Sequence, residues 1–228
     1  MKVSVMLVIG AFLIASSVVA AEKQEMTLKE KQSYAIGINT GKNFKRSGID
    51  IDPEMLLRGI KDAQTGATPL FTDQEMMAAL AAMQKDMQAK MKSLADKNKK
   101  DGEAFLASNK KKKGVKVLPS GLQYRVIKAG AGKSPKETDT VTVHYKGTLI
   151  DGTEFDSSHK RNQPATFPVN SVIKGWKEAL PLMKEGATWE LVVPSTLAYG
   201  EQGTPGGPIG PNSVLIFEVE LISVQGKE

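Results

Sequence analysis

The 228-residue chain contains no cysteine. Disulfide scaffolds, Cys-ligated zinc, iron–sulfur clusters and thiol catalysis are excluded together, and no cysteine is present to carry an N-terminal lipid. Histidine is nearly as scarce: His144 and His159 are the only two, fifteen residues apart. A His-based metal site or a metzincin motif needs more than that. No serine stands in a G-x-S-x-G elbow, and no phosphate-cradling P-loop is present. Asp151, Glu154 and Asp156 lie close in sequence but depart from EF-hand spacing, and no later Glu completes a calcium loop. Ser157 and Ser158 precede His159, but adjacent residues on an extended chain make a poor nucleophile–base pair.

One long apolar run exists, at the start of the chain. Lys2 gives a short positive lead, Val3 to Val19 is almost wholly apolar, and small residues follow at Ala20 and Ala21. That order is a secretory signal over residues 1–21, cut after Ala20 or Ala21. An uncleaved anchor is the alternative, but about 17 apolar residues is the short limit for spanning. The expectation is export to the periplasm, with attachment to the outer membrane or cell surface as a variant of that reading.

The net charge of +6 is unevenly spread. Residues 22–118 carry a surplus of +6, and residues 119–228 stand at −1. The densest basic run, Lys110 to Lys113, has no interleaved aromatic residues. It reads as a solvated helix end that suits the helix dipole, and not as a nucleic-acid surface.

The N-terminal half reads as helices. Thr27-Leu28-Lys29-Glu30 is a capping box, followed by a helix to about Arg46. Asp52-Pro53-Glu54 opens a second helix, with a cap, a proline at the first position and an acid in the first turn. It runs to about Gln64. Thr72-Asp73-Gln74-Glu75 starts the longest pattern, free of proline to about Lys113 and roughly 60 Å long if helical throughout. Met76, Leu80, Met83, Met87, Met91 and Leu94 fall on one stripe at spacings of three and four. They can pack on the two short helices or form a contact surface for a second subunit or a client. Beyond about residue 95 the pattern turns polar and reads as a solvent-bridging spacer. Some 45 residues of short helix rarely fold unaided, and Gly37 and Gly41 permit close helix approach. Residues 22–71 are therefore expected to form a homodimer, with residues 72–114 as a connecting helix.

After Pro119-Ser120-Gly121 the period changes to two. Leu122, Tyr124 and Val126 alternate with polar residues, as do Val141, Val143 and Tyr145. Asp151-Gly152 is a hairpin signal. Thr188 to Val193 and Val214 to Val224 read as two more strands, and one short amphipathic helix begins at Gly175-Trp176. The fold class is α+β: an N-terminal all-α dimerisation region, one long connecting helix, then, over residues 115–228, a curved antiparallel sheet wrapped on a short helix. Tyr145, Phe155, Phe167, Trp176, Tyr199 and Phe217 all lie in this half, with Asp156 and Arg161 among them. Each ring alone reads as core; together with the polar pair they outline a site. The run Gly203 to Gly210, rich in glycine and proline, is a constrained surface loop of the kind that often carries function.

Three blocks make the half recognisable: VTVHYKGTLIDGTEFDSS, VIKGWKEALPLMKEGATWELVVPSTLAYG and GGPIGPNSVLIFEVEL. In that order they resemble the FKBP-type peptidyl-prolyl cis–trans isomerases. YAIGINTGKNFKRSGIDIDPE, GEAFLASNK and VLPSGLQYRVI are similar to the macrophage infectivity potentiator group of exported bacterial isomerases. The resemblance implies an FKBP-like domain over residues 115–228, a dimer formed by the N-terminal helices, no cofactor, X–Pro segments of unfolded or exported proteins as substrates, and binding of macrolide inhibitors of the tacrolimus and rapamycin type. It places Trp176 at the pocket floor, with Tyr145, Phe155, Val172, Ile173, Tyr199 and Phe217 as walls, and Phe167 is a further substrate-binding candidate. Asp156 and Arg161 match the family's rim pair. The Ile173 N–H and the Tyr199 hydroxyl match its donors to ligand carbonyls, and Ile209 closes the pocket. Two departures bear on substrate preference: Ala165 stands where many members have Phe, and the loop Glu201 to Pro211 is one residue longer than in small members, with Thr204 where some have His.

The leading expectation is an exported prolyl isomerase that assists folding without covalent chemistry. The rival is a chaperone-like holdase or envelope binding protein whose dimer cleft is the functional site; the methionine stripe and the long helices favour it.

Overall fold

The structure, a computed structural model, describes residues 26–226; the expected signal sequence lies outside them. The chain divides into two compact units between Thr40 and Gly41. Helix α1 (Leu28–Arg46) starts on the expected capping box: the Glu30 N–H donates to Thr27 Oγ1 at 3.3 Å, and the Glu30 carboxylate accepts from the Thr27 N–H at 2.6 Å. That backbone bond holds the Glu30 carboxyl below its ordinary pKa. Helix α2 (Pro53–Thr65) is capped by Asp52, whose carboxylate accepts from the N–H groups of Glu54 and Met55. It ends at Gly66 in the left-handed region, φ 70°. A second capping box, Thr72 with Glu75, starts α3 (Asp73–Asn109), about 55 Å long at 37 residues.

No residue of α1 or α2 is buried. Along α3, Met76, Leu80, Met83, Met91 and Leu94 are 36–55% exposed, so the apolar stripe stays open in the single chain. The polar end of α3 behaves differently from a solvent-bridging spacer. Asn98 is half-buried, and Gly102 and Asn109 are buried. A Cβ on Gly102 would lie 2.8 Å from Val214 Cγ2. Asn109 Nδ2 donates to Gln123 Oε1 at 3.0 Å, and Gln123 Nε2 donates to the Leu106 carbonyl at 2.9 Å. The seam is built from small and amide side chains, which an apolar period does not register.

Seven strands form one antiparallel sheet: β1 (Val115–Val117), β2 (Gln123–Lys128), β3 (Thr140–Leu149), β4 (Glu154–Ser157), β5 (Ala165–Pro168), β6 (Thr188–Val193) and β7 (Leu215–Gln225). Their order is β1-β2-β6-β7-β3-β4, with β5 also paired to β3. Register shifts at Val126/Lys128, Thr142/Val143 and Gly147/Thr148 interrupt the ladders; such bulges add twist and bend the strands. Alternation sends Val141, Val143 and Tyr145 of β3 inward beside Leu191 and Val193 of β6 and Leu215, Phe217, Val219 and Leu221 of β7. The six-residue helix α4 (Lys174–Ala179) covers that face with Trp176 and Ala179, followed by Leu180. Leu122, Leu180, Leu191, Leu215 and Leu221 are fully buried; each contributes on the order of 1.5–3 kcal/mol by leaving water.

Candidate functional site

Two glycines let aromatic residues converge. A Cβ on Gly175 would lie 2.6 Å from Val193 Cγ1, so glycine permits the first turn of α4 to settle on β6 and set Trp176 against the sheet. A Cβ on Gly147 would lie 2.6 Å from Phe155 Cζ and 2.9 Å from Phe217 Cε1. Gly147 of β3 therefore leaves the space these two rings occupy.

Around Trp176 three rings stand nearly perpendicular to the indole: Tyr145 at 5.4 Å and 88°, Phe217 at 5.3 Å and 79°, and Phe167 at 6.2 Å and 85°. Phe155 meets Phe217 edge-on at 5.5 Å. This edge-to-face geometry is the preferred aromatic arrangement. Trp176 is 4% exposed, and its Nε1 is buried with no hydrogen-bond partner among the described residues. Val172 and Ile173, half-buried, pack against the domain's hydrophobic core, to which both Trp176 and the buried Ile209 belong. The Ile173 carbonyl accepts from the N–H groups of Trp176 and Lys177, while its own N–H donates to no acceptor among the described residues.

A polar triangle stands beside the rings, sharing Tyr145 with them. The Tyr145 hydroxyl and the Arg161 Nη1 both donate to Asp156, and Arg161 Nη2 donates to the Tyr145 hydroxyl at 3.0 Å. Burial pushes the Asp156 carboxyl up, but the hydrogen bonds from Tyr145 and Arg161 outweigh it, so its pKa falls below the ordinary value. Burial, together with the Asp156 bond, raises the Tyr145 phenol. At neutral pH the site holds a carboxylate, a guanidinium and a neutral phenol, each partnered.

Tyr199 is the sequence candidate set apart. It follows the short turn Ser195–Leu197, is 42% exposed, and takes part in none of the cluster's ring pairs among the described residues. The sequence pattern shows Ser158 only as a neighbour of His159 and gives no notice of its structural role; it is fully buried. Its Oγ accepts from the Tyr145 N–H at 2.8 Å, donates to the Tyr145 carbonyl at 3.2 Å and pairs with His144 Nδ1 at 2.9 Å. No local signal separates it from Ser157. Gly147 and Gly175 are readable, because glycine inside a strand or helix pattern marks close approach.

This arrangement sets the rings of Trp176, Tyr145, Phe167, Phe217 and Phe155 beside a polar triangle whose members are hydrogen-bonded to one another. Two family models match the chain: the domain amino terminal to FKBP-type peptidyl-prolyl isomerase over residues 29–126, and FKBP-type peptidyl-prolyl cis-trans isomerase over residues 132–222. The chain is 51% identical over 217 residues to the outer membrane protein MIP of Legionella longbeachae, covering 93% of each. It is 51% identical over 205 residues to the peptidyl-prolyl cis-trans isomerase Mip of Coxiella burnetii, covering 88% of this chain and 89% of that one. The crystal structure of FkpA from Escherichia coli superposes with a TM-score of 0.65 at 41% identity, covering 87% of this chain and 97% of that chain.

Proposed function

The chain belongs to the FKBP-type peptidyl-prolyl cis-trans isomerases, and from that premise we propose that it turns X–Pro bonds in the aromatic pocket floored by Trp176, on exported clients whose folding it assists. The observation that carries the site is the set of three rings standing upright around one indole, with the Tyr145–Asp156–Arg161 triangle at the edge.

Rotation of an X–Pro amide crosses a barrier of about 18–20 kcal/mol and takes on the order of tens to hundreds of seconds. Turnover near 100 per second needs roughly four decades, about 5 kcal/mol. No bond breaks, so the pocket must favour the twisted amide over the planar one. Resonance in the planar form puts charge on the carbonyl oxygen, which water stabilises. The twisted form carries less of it. Surrounding the prolyl ring with Trp176, Tyr145, Phe167 and Phe217 removes that water and disfavours the planar state. The Ile173 N–H and the Tyr199 hydroxyl hold the flanking carbonyls, and the ionised Asp156 fixes Arg161 and the Tyr145 hydroxyl instead of moving a proton. Phe155, Val172 and Ile209 complete the walls.

The open stripes on α1, α2 and the first half of α3 support a homodimer built through residues 22–71. Large apolar faces left bare on a single chain are the usual mark of an interface. Export to the periplasm rests on the run Val3 to Val19; a relative named as an outer membrane protein is consistent with it. No helix of the described residues is long and apolar enough to cross a membrane. Macrolides of the tacrolimus and rapamycin type are expected to compete for the same pocket.

The open methionine stripe also favours a second activity, capture of unfolded clients between the helices. One comparison separates the two: isomerisation of a short X–Pro peptide against suppression of aggregation of a proline-free client. Loss of the first alone in Trp176→Ala supports a pocket-borne isomerase with a separate holding surface. Retention of peptide turnover in that variant contradicts the pocket.

A further inference from the structure

Between the Ser195–Leu197 turn and β7 the chain makes a hoop from Gly200 to Asn212, closed at its base by the Asn212 N–H donating to the Gly200 carbonyl at 2.9 Å. Inside the hoop Thr204 holds Ile209 from both sides. The Thr204 N–H donates to the Ile209 carbonyl at 2.8 Å, and the Ile209 N–H donates to Thr204 Oγ1 at 3.3 Å. Ile209 is 5% exposed and belongs to the buried core of the domain, the same core that holds Trp176 and Phe217.

The hoop is tied to the long helix. Asn98 Nδ2 donates to the Pro211 carbonyl at 2.8 Å and lies 3.5 Å from Ser213 Oγ. In return Asn212 Nδ2 donates to the Ala95 carbonyl at 3.3 Å. Contact is direct: a Cβ on Gly210 would lie 3.2 Å from Asn98 Nδ2 and 3.4 Å from Leu94 Cδ2. Asn212 has φ 54°, a region that asparagine tolerates better than most residues. At the hoop's outer end Arg46 donates to the Gly206 carbonyl.

These contacts give α3 a role at the pocket. The hoop holds glycine at 200, 203, 206, 207 and 210, so its backbone loses much freedom when ordered. Cross-bonds from one turn of α3 supply that order before a substrate arrives. We propose that Asn98 is a positioning residue for the isomerase: acting through Pro211 and the hoop, it fixes the height of the Ile209 wall, so that helix α3 sets substrate affinity. The inference rests on the reading that the Trp176 cluster is the isomerase pocket. Ile209 touches planar and twisted prolyl bonds alike, so loosening it raises KM and leaves kcat in place. A hoop that is only partly closed lowers apparent affinity by the fraction closed. One lost hydrogen bond corresponds to roughly a three- to tenfold effect.

The test uses the full chain and a chromogenic tetrapeptide carrying Leu-Pro. Asn98→Ala and the near-isosteric Asn98→Asp, which cannot donate, are expected to raise KM roughly three- to tenfold with kcat within about twofold. Asn98→Gln, which keeps the donor, is expected to recover part of the loss. Asn212→Gly keeps the backbone conformation, removes the bond to Ala95, and is expected to act in the same direction. The Ile209 amide should shift in the NMR spectrum and exchange faster in each weakened variant. Unchanged KM with an unmoved Ile209 amide overturns the proposal, as does a loss confined to kcat and to folding stability. Trp176→Ala is the control. Loss of turnover in it places the reaction in the pocket, so that the KM of the Asn98 variants decides the proposal; full turnover in it removes the pocket reading and the proposal together.

Discussion

The Tyr145 hydroxyl donates to the Asp156 carboxylate across the β3–β4 pair, joining residues eleven positions apart. Burial of Tyr145, this bond and the Arg161 bond to Asp156 together set both protonation states. Asp156 is lowered, so its contribution is complete above its unfolded value of about 4 and is lost as pH falls through the lower folded value. Tyr145 is raised, so its contribution is complete below about 10 and is lost as pH rises through the higher folded value. The triangle should therefore hold kcat/KM level from about pH 5 to 9, in contrast to the bell of an acid–base enzyme. A pH–rate profile checks this. Asp156→Ala should lower kcat/KM roughly tenfold by freeing Arg161 and Tyr145; full turnover in that variant would remove the positioning role assigned to Asp156.

Gly147→Ala puts a methyl group 2.6 Å from Phe155 and 2.9 Å from Phe217. Both rings must shift, at a cost of about 1–3 kcal/mol. Chemical denaturation should show that loss, and peptide turnover should fall with it. A variant as stable and as active as the parent would mean the rings have room the geometry denies them.

Trp176 tests the proposed floor and the fold at once. Trp176→Ala should cost about 3–5 kcal/mol and remove isomerisation. Trp176→Phe also deletes the unpartnered indole N–H, whose burial costs about 1–3 kcal/mol, so it should be distinctly milder in stability and keep part of the turnover. Equal destabilisation by the two would show that the orphan donor carries no cost.

The bare apolar faces predict a pair of chains. Sedimentation of the mature protein at micromolar concentration should give twice the mass of one chain, and Leu57→Glu or Leu80→Glu should halve it. Peptide turnover per chain should stay within about twofold, because no aromatic cluster residue lies on those helices. A wild-type protein that sediments as a single chain would contradict the pairing.

Element starts are legible where a side chain speaks to its own backbone. Thr27 with Glu30, Asp52 with Pro53, and Thr72 with Glu75 each begin a helix at the residue the pattern indicates. Strand β3 follows from the alternation of Val141, Val143 and Tyr145, and β6 and β7 from apolar runs, of which Leu191 to Val193 is buried throughout. β4 and β5, four residues each, are not separable from loop in the sequence, because so short a run holds only two inward positions. The aromatic residues named in sequence do gather on Trp176, except Tyr199, whose placement depends on a loop. The end of α3 reads as solvated in sequence and is not, because Asn98, Gly102 and Asn109 pack through amide bonds and the absence of a side chain, neither of which registers as hydropathy. The role of Ser158 is hidden for the same reason: its work is to close the backbone of Tyr145.

Gly102 against Val214, and Asn109 against Gln123, have a practical corollary for anyone dividing this chain. A recombinant fragment begun at the first strand would strip those partners away, baring valine and stranding a buried glutamine amide. The catalytic half should be excised well upstream, near residue 94, if its melting behaviour is to match that of the intact molecule.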